Sequence, residues 1–170
     1  NKGKSTTHKK ANSSGVFLNG QLTILNNLKI STGDLHTENS LVEIGMNAAL
    51  SETPGNRIIG KVFSLRPITI GETQNFGNIG FELIVNGSHP GPTLITRYTG
   101  TQLNGSENFP ESQSIQRYFV VTPTENQNLN AQIVLHYDEE ELQNQNEQSF
   151  DIWMKSGLKW KKNPVKTHRN

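Results

Sequence analysis

A chain of 170 residues with 32% hydrophobic content has room for one good-sized domain, or one domain and a small appendage, around a thin core of the sandwich or solenoid kind. With no cysteine there is neither a disulfide framework nor a thiolate metal site, and no apolar run is long enough to cross a bilayer as a helix. The net charge of +1 hides an uneven layout: Lys2, Lys4, Lys9 and Lys10 lie at one end and Lys155, Lys159, Lys161, Lys162, Lys166 and Arg169 at the other, with every Asp and Glu between them. Solvated tails, or attraction between the basic ends of one copy and the acidic body of another, follow from this layout. Nucleic acid is not an expected partner, because no basic helix or aromatic platform accompanies the lysines.

Residues 1–15 have no periodicity and almost no apolar content, so they read as a flexible linker or arm. The opening on Asn1 rather than Met reads as a mature or excised piece of a longer precursor. From Val16 onward, Leu22 and Ile24 form an L-x-I unit, Leu28 and Ile30 form another, and Leu35, Leu41 and Ile44 follow. Polar corners separate these units at Asn19-Gly20, Asn26-Asn27, Thr32-Gly33-Asp34 and Asn39-Ser40. Very short strands with regular corners predict a rung-like β segment over 16–55, either a small β-solenoid or a stacked meander. Each rung would bury its apolar stripe only against the next rung or another sheet.

A β-sandwich is expected over 56–162. The pattern predicts strands at 57–65, 76–85 and 93–99, an edge segment at 67–70, and a bulge near Gly60. Residues 114–137 read as two strands joined by an Asn-rich turn. Ile115, Arg117, Phe119 and Val121 share one face of the first, and Pro123 stops it because proline cannot donate to a ladder. A last hairpin is expected over 150–161, turning at Ser156-Gly157, and a basic tail over 163–170. No segment has a helical apolar face. The fold class is therefore all-β: an antiparallel β-sandwich with a short N-terminal β-solenoid-like or meander extension.

Candidate sites are sparse. Asp138 and Glu141, within the run 138–141, are the best calcium ligands on offer, but the spaced D-x-D-x-D pattern is lacking and solvated turn acids are the plainer reading. Arg97 and Arg117 stand in similar strand contexts beside Tyr98 and Tyr118, as stacking partners, as ion-pair partners across the sheet, or as ligand-binding arginines. Trp153 and Trp160 offer flat faces for a sugar ring; their separation would put them on opposite faces of an uninterrupted strand, though the Ser156-Gly157 turn can change this. No serine sits in a nucleophile elbow, no two histidines have metal-ligand spacing, and nothing singles out a carboxylate pair among Glu82, Glu125 and Glu141, so catalysis is not expected.

Seven phrases in order, LVEIGMNAALSE, GNRIIGKV, GNIGFELIV, PGPTLITRYTG, SIQRYFVVTP, LNAQIVLHYDEEEL and SFDIWMKSGLKW, resemble a module of large secreted Bacteroidetes proteins. In those proteins it sits among adhesin-like and repeat-rich regions, often upstream of a type IX secretion sorting domain. The resemblance covers roughly residues 20–160. It implies an extracellular or cell-surface β-rich structural module with no cofactor or established catalytic role. Such a module would work in a filament or surface assembly, through contacts with copies of itself or with neighbouring domains. The family module continues with one more strand, whereas this chain ends in a polar stretch at Asn170. An open sheet edge for a neighbour's strand is therefore expected. The second expectation is a carbohydrate-binding module of a secreted polysaccharide-acting protein, with a glycan as partner.

Overall fold

The computed structural model describes residues 15–104, 113–157 and 159–163. The expected arm up to residue 14 and the tail from 164 lie outside the described residues. The fold is all-β, with two 3-10 turns, Glu139–Leu142 and Glu147–Ser149, as its helical elements among the described residues.

The N-terminal part is a stack of rungs. β1 (Val16–Phe17), β2 (Leu22–Ile24) and β3 (Asn27–Ile30) make the first; β4 (Leu35–His36), β5 (Val42–Ile44) and β6 (Ala49–Glu52) make the second. Each strand pairs in parallel with its equivalent one rung on: Val16 with Leu35, Leu22 with Val42, Leu28 with Leu50. Parallel neighbours need a full circuit of chain between them, and the circuits from Val16 to Leu35, Leu22 to Val42 and Leu28 to Leu50 are 19, 20 and 22 residues; across the second, Thr23 donates to the Glu43 carboxylate. The meander alternative is thereby ruled out for this part, because its strands would pair antiparallel.

β7 (Ile58–Arg66) closes the stack and opens the sandwich. Its start pairs in parallel with β4 (Ile58 opposite Leu35), and its middle with β5 (Val62 opposite Val42). Between these contacts the strand turns a corner of the rung stack at Gly60, which has φ 113 and lies so close to Thr37 that a Cβ would fall 2.1 Å from the Thr37 hydroxyl oxygen. Only glycine meets both conditions. On its other edge β7 pairs antiparallel with β9 (Thr93–Thr99), and β9 with β10 (Arg117–Pro123). A second sheet holds β8 (Phe81–Val85) and β11 (Ala131–Leu135), with Gln74 bridging to Leu83. Its inner residues Phe81, Leu83 and Val85 join one apolar cluster with Ile95, Ile44 and Val62. β12 (Trp153–Ser156) and β13 (Lys159–Lys162) form the last hairpin.

Three expectations are corrected. The two strands of 114–137 do not pair with each other: β10 joins β9 in one sheet and β11 joins β8 in the other. The Asn-rich link is thus a connection between layers. The strand expected from residue 76 begins only at Phe81, because Phe76, Gly77, Asn78 and Gly80 all have positive φ and form a turn that drops Phe76 and Ile79 into the core. No strand is assigned over 67–70, although Ile68 is buried.

Replacing Gly60 tests the corner. Gly60→Ala is expected to cost about 3 kcal/mol, from left-handed strain plus overpacking against Thr37, read as a lower urea midpoint at unchanged slope. An unchanged midpoint would show that the corner is not sterically fixed.

Candidate functional site

The rung stack and the sandwich meet at a buried network of arginines and carboxylates. Alternation along β9 and β10 turns Arg97 and Arg117 inward, beside Ile95 and Phe119, while Tyr98 and Tyr118 face out. The tyrosines stack on each other, centroids 4.6 Å apart and planes 5° apart, with Lys61 over the Tyr98 ring. The arginines therefore do not stack on them.

Arg97 is fully buried and grips Glu52, at the end of β6, in bidentate fashion at 2.6 and 2.8 Å; it also donates to the Ile79 carbonyl at 3.3 Å. Glu52 accepts a further bond from the Ile58 amide at 2.7 Å. Arg117 donates to the His136 carbonyl and to Glu141, both at 2.7 Å. Arg57 lies 3.3 Å from Asp138, 3.4 Å from Glu140 and 3.5 Å from Glu141. Asp138 caps the 3-10 turn and accepts from the Gly55 amide at 2.9 Å, while Glu141 bonds back to the Asp138 amide. The acidic turn is thus clamped onto the second rung.

The reading of 138–141 as solvated acids is overturned for Glu141, which is 0% exposed. Sequence reasoning also missed Glu52 and Arg57. One signal was present: Asp138 followed three residues later by Glu141 is capping-box spacing, which pulls the glutamate back toward the chain.

The electrostatics fit a structural network. Burial alone would raise the Glu52 carboxyl, but the hydrogen bonds and charge of Arg97, with the Ile58 amide, outweigh it and hold it below the usual range. At Asp138 burial is likewise outweighed by the Gly55 and Glu140 amides and by Arg57. Burial, then the Arg97 charge, lowers Arg117. Tyr137, hydrogen-bonded to Glu147, is pushed up to about 12 by burial and by that carboxylate.

Above the network lies an open cleft of about 310 Å³, bordered by Ser51, Thr53, Asn56, Asn78, His136 and Tyr137 among others. Asp138 and Glu52 face arginines, an arrangement that keeps them ionised and unsuited to donating a proton near neutral pH. The oxygens expected to hold calcium, those of Asp138 and Glu141, are directed at Arg57, Arg117 and backbone amides. Among the described residues no group of three or more metal-ligating side chains converges.

The last hairpin changes the reading of the tryptophans. Its register sets Trp153 opposite Lys162 and Trp160 opposite Lys155. Directly opposite residues share a face, as do residues two apart, so Trp153, Lys155, Trp160 and Lys162 all lie on one face. The turn, with Gly157 at φ 62, reverses the parity that an unbroken strand would impose.

A third feature is the first rung. β1, β2 and β3 each end a ladder, and among the described residues nothing pairs with their outer edges. Val16, Phe17 and Leu25 are exposed at 67%, 64% and 81%. Leu22 and Ile24 are only half-buried, whereas Val42 and Ile44, one rung further in, are at 0% and 1%.

Comparison of the chain with protein-family models, with curated proteins and with solved structures found no match.

Two measurements check the network. Arg97→Met, which strands Glu52, is expected to cost about 3–5 kcal/mol, with much of the loss recovered in the Arg97→Met, Glu52→Leu double variant. Additive losses would mean that the two groups are not coupled. Because Glu52 and Asp138 titrate lower folded than unfolded, their stabilisation is complete above the unfolded values near ~4 and is lost as pH falls through the lowered ones. Urea midpoints should therefore drop on acidification below about pH 4, and Glu52→Gln should flatten that drop.

Proposed function

We propose that the chain is an extracellular structural module of the adhesin type, and that it assembles through the outer edges of its first rung with a second copy or a neighbouring domain of a surface protein. The observation that carries this reading is the end of the rung stack that is unpaired among the described residues, where β1, β2 and β3 offer three strand edges around a half-covered apolar stripe. Repeat stacks ordinarily end in a polar cap, and an uncapped edge is a template for another strand. Val16, Phe17 and Leu25, exposed at the same end, supply apolar area for a partner to bury. The resemblance to secreted Bacteroidetes modules, associated with type IX secretion, supplies the surface location.

The pairing geometry is specific. Leu22 donates to the Leu41 carbonyl and Ile24 accepts from the Gly45 amide. Alternation then turns the Thr23 amide away from β5, toward the open edge. A proline at Thr23 removes that outward donor and leaves the β2–β5 ladder its backbone bonds, with loss of the exposed Thr23–Glu43 side-chain bond.

Light scattering across concentration is expected to show oligomers of the full chain. Thr23→Pro and Leu25→Lys should each weaken association about tenfold or more, a loss of about 1.4 kcal/mol or more, with thermal unfolding nearly unchanged. A wild-type chain that stays monomeric at high concentration, or a Thr23→Pro variant that associates as well as wild type, would sink the proposal.

A further inference from the structure

We propose that the Trp–Lys face of the β12–β13 hairpin is a binding surface for an acidic polysaccharide of the uronate type, independent of the first-rung edge. Trp153 and Trp160 lie diagonally on this face, and Lys155 and Lys162 occupy the other diagonal. Ring and cation therefore alternate along each strand and across the pair. Trp153 and Trp160 are half-buried, which leaves part of each indole open to solvent. Lys155 sits over the Trp160 ring at 5.7 Å, and Lys162 is held by Asp151 at 2.6 Å while 52% of its side chain stays exposed. Lys155 is thus stationed over a ring, and Lys162 stands opposite Trp153 with its ammonium on Asp151.

Charge complementarity selects the ligand. All acidic residues of the chain lie between Asp34 and Asp151, and the hairpin beyond them carries Lys155, Lys159, Lys161 and Lys162 with no carboxylate of its own. A neutral glycan would use the indoles and offer no charge to the exposed Lys155 and Lys162 side chains. A hexuronate carries its carboxylate on the same ring that stacks, so one sugar unit presents an apolar face to a Trp and a charge to the neighbouring Lys. In a polynucleotide the stacking base and the phosphate are separated by a sugar, and single strands are held in a groove that tracks the backbone; a two-stranded hairpin forms no such groove. A single exposed lysine–carboxylate contact contributes little. The ligand is therefore a polymer, whose repeated units engage the face several at a time.

The test is affinity electrophoresis of the full chain in gels containing polygalacturonate, with neutral dextran and poly(dT) as comparisons. Polygalacturonate is expected to retard the chain, less so as salt is raised, and dextran is not. The double variant Lys155→Gln, Lys162→Gln should weaken retardation about tenfold, whereas Lys159→Gln, Lys161→Gln, the same charge change on the opposite face, should stay within about twofold. The Lys155→Gln, Lys162→Gln change also removes the Lys155–Trp160 contact and the Lys162–Asp151 pair, so an unchanged far-ultraviolet circular dichroism spectrum and unfolding midpoint verify that the hairpin is kept. No retardation by polygalacturonate, equal losses in the two double variants, or stronger retardation by poly(dT) would each overturn the proposal.

Discussion

A guanidinium wholly removed from water must have its charge met at contact distance, and Arg97 is in that position. Its partner Glu52 closes the second rung and also receives the Ile58 amide at the start of β7. One ion pair therefore fixes where the rung stack ends, where β7 begins and how β9 lies across it. Arg117 and Arg57 extend the constraint to the acidic turn after β11 through Glu141 and Asp138. A buried pair of this kind adds little net stability over well-packed apolar residues, yet half of one is very costly. The network therefore enforces a single joint between two packing systems, the parallel stack and the antiparallel layers, whose apolar faces merge into one cluster.

Much of the fold was legible because it rests on local chemistry. The L-x-I units and Asn/Gly corners of 22–44 marked short strands that turn at polar corners, but Leu22–Ile24 and Leu28–Ile30 are two sides of one rung and not successive rungs. β9 occupies the expected residues, and the final hairpin turns at the expected Gly157. Pairing was less legible. Period-2 alternation tells which side chains share a face but not which strand lies alongside, so β10 and β11 looked like one hairpin although they belong to different layers. Positive φ at Phe76 and Asn78 is a tertiary outcome that no alternation signals.

The candidate sites were legible by residue type and illegible by partner. Arg97 and Arg117 were singled out, but their buried partners Glu52 and Glu141 looked like ordinary surface acids. Spacing alone would put Trp153 and Trp160 on opposite faces of an unbroken strand, and the turn at Ser156-Gly157 left their faces open. The register of the hairpin, not the spacing in the chain, puts them together with Lys155 and Lys162.

Two surfaces thus differ in kind: near the start of the described residues an apolar rung with no partner strand among them, and near their end a basic aromatic hairpin. The first is the centre of the account, because among the described residues it is where the stack has no neighbour. Amide hydrogen exchange of the full chain at low and high protein concentration tests it most directly. Phe17, Thr23 and Lys29 lie at positions whose amides alternate away from the second rung, by the bonds that Val16, Leu22 and Asn26 make. The account predicts that these amides gain protection as concentration rises while β10 does not. Protection that appears along β10 instead, or nowhere, would contradict it.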